Sequence, residues 1–260
     1  SIPFIFPFLW MVSGSLKSPL EIFASPPTLI PETFYQQNYE NILDIQPFAR
    51  QYWNSIWIAT VVTMGTLIFS SLAGYAFARI SFFGNGILFL LLLSALMMPE
   101  EVIIIPKFRL VQWLGIDNTH IPLVLFPIFG SHGVIATFMM RQHFLGMPRE
   151  LEEAAMLDGL TRWGIFWRIA MPIAKPALTA VAIITFLHSW NSFLEPLVYL
   201  EDTHLYTVPL ALSAFTDEFG TPLWGTQMAA TTLSVIPILV FYVFAQRLVI
   251  ESFASSGVKG

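Results

Sequence analysis

Five long stretches without a charged side chain, 51–78, 80–99, 118–140, 176–194 and 219–246, constrain this chain more than any other feature. A helix crossing the hydrocarbon core of a bilayer needs about 20 mostly apolar residues. Inside lipid the backbone must satisfy its own hydrogen bonds, which a helix does within one segment. Each stretch therefore reads as a spanning helix. A sixth apolar run, Ile2 to Val12, is too short to cross alone and reads as a span whose start is missing from the sequence. No basic region precedes it and no small-residue cleavage pattern follows, which argues against a signal peptide. Charged residues make up 11% of the chain, against about 25% in soluble domains. The fold class expected is an all-α membrane protein of six transmembrane helices, the first truncated, in a single domain, 1–260.

Taking the spans as 1–12, 54–76, 84–104, 119–140, 173–198 and 228–247 divides the loops into two sets. Segments 13–53, 100–117 and 195–218 hold four Lys or Arg against twelve acids, and the remaining segments hold eight Lys or Arg against five. Lys and Arg accumulate on the cytoplasmic side of membrane proteins. The second set is therefore cytoplasmic, and both termini point there. Thr66, Ser70, Gly74 and Ala78, spaced by four in the second span, form a stripe of small residues that lets a neighbouring helix approach closely.

The chain has no cysteine, which excludes disulfides and thiolate chemistry. Its five histidines, at 120, 132, 143, 188 and 204, show no His-x-x-x-His or Glu-x-x-His spacing, so no metal site is expected. No Gly-x-x-x-x-Gly-Lys-Ser/Thr phosphate loop and no Gly-x-Ser-x-Gly elbow occurs.

Between the fourth and fifth spans lies the cytoplasmic stretch 146–172, GMPRELEEAAMLDGLTRWGIFWRIAMP. Pro148 suits a first helical position, and Glu150, Glu152 and Glu153 complement the positive end of the helix dipole. Gly159 can end the helix in the left-handed conformation, and Thr161 can cap a second one. The expected product is a short helix, a glycine turn and a second amphipathic helix. Trp163, Ile165, Phe166, Trp167 and Ile169 would let this hairpin lie on lipid. The glutamates and Asp158, repelled by an anionic leaflet, favour docking to a protein with a basic cleft.

Glu153-Ala154-Ala155, three residues, Gly159, nine residues, Ile169, one residue, Met171-Pro172 resembles the EAA loop of permease subunits of bacterial ABC importers. Met171 stands where that family usually has leucine, a volume-conserving departure. The resemblance extends over the whole chain and is closest to carbohydrate permeases of the MalG-like type. Its landmarks include Pro7-Phe8-Leu9-Trp10-Met11, Ser15-Leu16-Lys17, Trp190-Asn191-Ser192-Phe193-Leu194, Thr207-Val208-Pro209-Leu210 and a terminal Gly257-Val258-Lys259-Gly260. The last of these looks like a natural C-terminus.

The resemblance implies the type I importer fold in a bacterial inner membrane. It implies as partners a second homologous permease, two ATPase subunits that bind ATP and Mg, an extracytoplasmic solute-binding protein and the surrounding lipid, but no nucleic acid. No cofactor belongs to this chain, and it is not itself an enzyme. By resemblance the helix 151–159 docks in the ATPase, with Leu151, Glu153, Ala154, Ala155, Met156, Asp158 and Gly159 as its coupling residues. Glu153 would pair with a basic residue there, Ala154 and Ala155 would permit close approach, and Gly159 would set the angle between the two helices.

The last outer loop, with Asp202, Asp217 and Glu218, reads as a solvated acidic surface or, by resemblance, as a contact for the binding protein. For the solute path the residues are His188, Trp190 and Asn191, whose aromatic and hydrogen-bonding side chains suit a neutral sugar or polyol. They cannot all face one way on a helix, and Asn191 suits an interhelical hydrogen bond better than a solute contact. His132 and Glu100 are weaker candidates, with Glu100 and Glu101 expected at the outer interface. A phosphorylated sugar or glycerol ester is the alternative solute within the family. An ion-coupled secondary carrier, which would want central acids, is the alternative outside it.

Overall fold

The computed structural model describes residues 2–216 and 219–256, with side chains over 4–216 and 219–243. The Gly257-Val258-Lys259-Gly260 landmark and the acidic pair Asp217 and Glu218 lie outside the described residues. Most of what is described is helix, and no strand occurs there beyond an isolated bridge between Thr216 and Pro222.

In chain order the principal helices are α1 (Ile2–Ser15), α2 (Gln37–Ile45), α3 (Phe48–Arg79), α4 (Asn85–Ser94), α5 (Glu100–Leu114), α6 (Ile121–Phe129) and α7 (Ser131–Leu145). They continue with α8 (Arg149–Leu157), α9 (Arg162–Ile165), α10 (Lys175–Asn191), α11 (Leu194–Tyr199), α12 (Val208–Ser213) and α13 (Trp224–Ser256). Among the described residues three segments, Phe48–Arg79, Ile121–Leu145 and Trp224–Val243, are long and apolar enough to cross a membrane, and up to five are if each of two bent pairs counts as one span. The short apolar α1 supplies the sixth of the predicted set.

Two predicted spans are corrected. The run 84–104 is not one rod: Asn85–Met97 and Glu100–Leu114 meet at 101°. Met98 is extended, as a residue preceding proline prefers, and Pro99 starts the second helix. Residues 100–117, expected as an outer loop, are therefore mostly helical. The run 173–198 stops at Asn191 and resumes as the separate α11. Pro172 sits in a single turn, Met171–Ile173, and α10 begins at Lys175.

The chain divides into two compact units, one of residues 1–57 and 190–240 and the other of 58–189 and 241–260. In the first, Ile42, Phe48, Val208, Ala211, Phe215, Ala229 and Ala230 form the core. The start of α3 holds the segment after Leu200 through buried amides. Gln51 Nε2 donates to the Thr203 carbonyl at 2.9 Å, and Asn54 Nδ2 donates to the carbonyls of His204 and Tyr206 at 2.9 and 3.0 Å. The backbone N–H of Val208 donates to Ser55 Oγ at 2.7 Å. Each such bond contributes roughly 1 kcal/mol and would cost more if one partner were left buried and unpaired.

In the second unit the stripe predicted on α3 makes a close helix contact. Thr66 and Ser70 are buried, and a Cβ on Gly74 would meet Met140 Cβ at 2.7 Å and the Arg141 backbone nitrogen at 2.9 Å. Small side chains are what allow two helix backbones to approach in lipid, where no hydrophobic force drives them together.

Candidate functional site

The segment after α7 is built by local signals. Pro148 takes the N-cap position, one residue earlier than predicted, and Arg149 opens α8. Asp158 ends it, Gly159 follows at a φ of +82°, and the N–H of Gly159 donates to the Met156 carbonyl at 3.0 Å. A non-glycine residue would be strained at that φ. Thr161 caps the next helix, its Oγ1 accepting from Gly164 N–H at 3.2 Å. The chain then winds through a π-helical turn, Phe166–Ala170. Such turns recur at functional sites, where an extra residue re-aims the side chains.

This segment is welded to the rest of its unit by one face only. Ala155 is buried, and so is Glu152, whose Oε1 lies 3.3 Å from Arg79 Nε at the end of α3. Arg79 Nη2 also donates to the Met147 carbonyl. Beside this pair, Tyr75 meets Phe144 edge-on at 5.4 Å and Phe166 at 5.2 Å, inside a core that includes Met140, Ala170 and Ala174. The partner of Glu152 was not foreseen in the sequence. The signal was helix phase: residues 152 and 155, three apart, share a face.

The other face of α8 is open. Leu151, Glu153, Ala154, Met156 and Asp158 are exposed, as is Gly159, and Leu157 is 90% exposed. Leu151, Met156 and Leu157 together make this uncovered face partly apolar. Ala155 is the correction among the predicted coupling residues: it faces inward, so its small size serves packing within this chain and leaves Ala154 at the surface. Glu153 also borders a cleft of about 510 Å³, together with Arg79, Asn85, Arg149, Glu152 and Met156. Trp163 and Trp167 are exposed, whereas Ile165 and Phe166 are buried, so the second helix does not present one apolar stripe to lipid.

The predicted path residues are not brought together. Trp190 is 2% exposed and packs edge-on against Tyr52 at 5.9 Å within the first unit, which makes it a core residue. Asn191 is exposed where α10 ends. His188 belongs to the second unit, where its ring stacks on His132 at 3.2 Å between centroids, and His132 Nδ1 lies 3.3 Å from Glu100 Oε1. The spacing argument against a metal-type cluster fails here because three separate helices each supply one residue. Glu100, expected at the interface, is part of this half-buried group.

In the last outer loop Asp202 is exposed and caps the turn Thr203–Leu205, its Oδ1 accepting from His204 N–H at 2.8 Å. Glu195 is buried on α11.

With this geometry in view, comparison with known proteins is decisive. Residues 66–254 match the family described as binding-protein-dependent transport system inner membrane component. The chain belongs to that family. It is 37% identical to the arabinooligosaccharides transport system permease protein AraQ of Halalkalibacterium halodurans, over 98% of this chain and 91% of the relative. It is 32% identical to the sn-glycerol-3-phosphate transport system permease protein UgpE of Yersinia pestis, over 97% and 91% respectively. A crystal structure of a bacterial ABC transporter that imports the acidic polysaccharide alginate has the same fold, with a TM-score of 0.83 at 20% identity over 95% of this chain and 91% of that one. The chain is thus a multi-pass membrane component of a transport system, and not the catalytic subunit.

Proposed function

We propose that this chain is one of two permeases in an ABC importer for a neutral oligosaccharide or related polyol, driven by ATPase subunits that dock on α8. The observation that carries this reading is the two-faced α8. Glu152 ties it to Arg79 at the end of α3 and Ala155 is buried, while Leu151, Glu153, Ala154 and Leu157 stand uncovered. A rigid helix tied to a span on one side and open on the other is suited to pass motion from a docked ATPase to the path. In this reading α8 and both termini are cytoplasmic, and Asp202 faces the external binding protein.

A neutral solute is supported by the engagement of three helical cations. Arg79 is paired with Glu152, the Arg141 guanidinium lies 4.1 Å over the Phe89 ring, and Lys107 Nζ lies 5.3 Å over Phe126. The relative named for arabinooligosaccharides is also nearer in sequence than the one named for glycerol phosphate. That second relative keeps a phosphorylated solute as the alternative. The test is uptake of radiolabelled oligosaccharide by the complete importer in ATP-loaded proteoliposomes. Unlabelled neutral oligosaccharide is expected to compete, and a large excess of sn-glycerol phosphate is not. Saturable uptake of the phosphate ester would overturn the neutral reading.

A further inference from the structure

The geometry points to a binding site for a first-row divalent transition cation of the zinc type, formed by Glu100, His132 and His188. One ligand atom of each residue lies within 4.8 Å of the other two. Two imidazoles and a carboxylate, with one position left open, are a donor set that zinc takes up readily.

The two imidazoles do not satisfy one another. Imidazoles stacked at 3.2 Å and 21° cannot hydrogen-bond to one another through their faces. Glu100 receives Ser131 Oγ–H and lies 3.3 Å from His132, so His188 stands beside an acceptor already engaged by two other groups. Polar groups at membrane depth are costly and mark functional sites. A cation would recruit a lone pair from each ring and from the carboxylate at once.

The backbone holds these donors at discontinuities. Glu100 is the first residue after the 101° bend, and His188 lies in the last turn of α10. His132 sits between Gly130 and Gly133, where a Cβ would run into the carbonyls of Phe126 and Ile128 respectively. That crowding fixes the start of α7. Ligand bonds of about 2.1 Å in a tetrahedral site place donors roughly 3.4 Å apart, and each imidazole lone pair lies in its own ring plane, so the two stacked rings must rotate apart and turn their edges to the ion. Lys107, two turns along α5 from Glu100, has no lone pair to offer and lies over Phe126. A bound ion would tie α5, α7 and α10 together.

The probe is Co2+, titrated into the whole importer purified through a tag that contains no histidine. Wild type is expected to develop the visible ligand-field bands of four- or five-coordinate Co2+, reversed by Zn2+. His132→Gln and His188→Gln should each weaken that binding by at least about tenfold, while His204→Gln, on an exposed turn, leaves it unchanged. Cation sites on other subunits cancel in this comparison. If a variant fails to assemble, anomalous scattering from Zn2+-soaked wild-type crystals decides, with the ion expected between the three side chains. No such bands, binding that survives both substitutions, or an ion located elsewhere overturns the site.

Discussion

Arg79→Met is expected to destabilise the chain by about 3 kcal/mol, because breaking a buried ion pair strands the remaining charge. The side chains of Arg79 and Glu152 are 5% and 11% exposed, so water cannot replace the lost partner. At 3.3 Å between Nε and Oε1 the contact is chiefly electrostatic, and the guanidinium adds a bond to the Met147 carbonyl. The double variant Arg79→Met/Glu152→Leu removes both desolvation costs and is expected to recover most of the loss, since apolar replacements of buried pairs are often neutral or stabilising. Thermal unfolding of the chain in detergent, followed across the wild type, both single variants and the double, measures the coupling. A loss in Arg79→Met below about 1 kcal/mol, the range of an exposed pair, would show that the contact does not clamp α8.

Glu153→Lys is expected to do the opposite: to leave the fold intact and abolish function. Glu153 is exposed, and surface substitutions away from special features usually shift stability by less than about 0.5 kcal/mol. At an interface with a basic cleft the same change sets like charges against each other. Losing a charged contact across an interface costs 2 kcal/mol or more, so ATPase association should weaken by at least about tenfold. ATP-driven uptake should fall with it, while the external binding protein keeps its affinity for solute because α8 is not part of it. Unchanged uptake in a normally folded Glu153→Lys importer would remove α8 from the coupling path. The contrast with Arg79 follows from one turn of helix, in which Glu152 faces the chain and Glu153 faces away.

Most of the architecture is legible in the sequence because hydrocarbon imposes a simple rule on long uncharged runs. The turn of the coupling segment is equally legible: Gly159 takes the left-handed conformation and Thr161 caps as expected. What hydropathy misses is direction. An averaged apolar run does not register the 101° bend, although Met98-Pro99 carries the signal in the restriction proline places on its neighbour. Trp190 illustrates a second limit, since an aromatic ring suits a sugar path and a core equally, and only the packing against Tyr52 separates the two. Glu100, His132 and His188 illustrate a third. They lie 32 and 56 residues apart along the chain, so no local spacing could join them.

The central claim, that this chain works as one permease of an ATP-driven importer, is tested most directly by purifying it from gently solubilised native membranes and identifying its companions by mass spectrometry. The account predicts recovery of a homologous permease and an ATPase, with two ATPase subunits for each permease pair. Recovery of the chain alone, still moving solute into liposomes that contain no ATP, would contradict it and make the chain a secondary carrier.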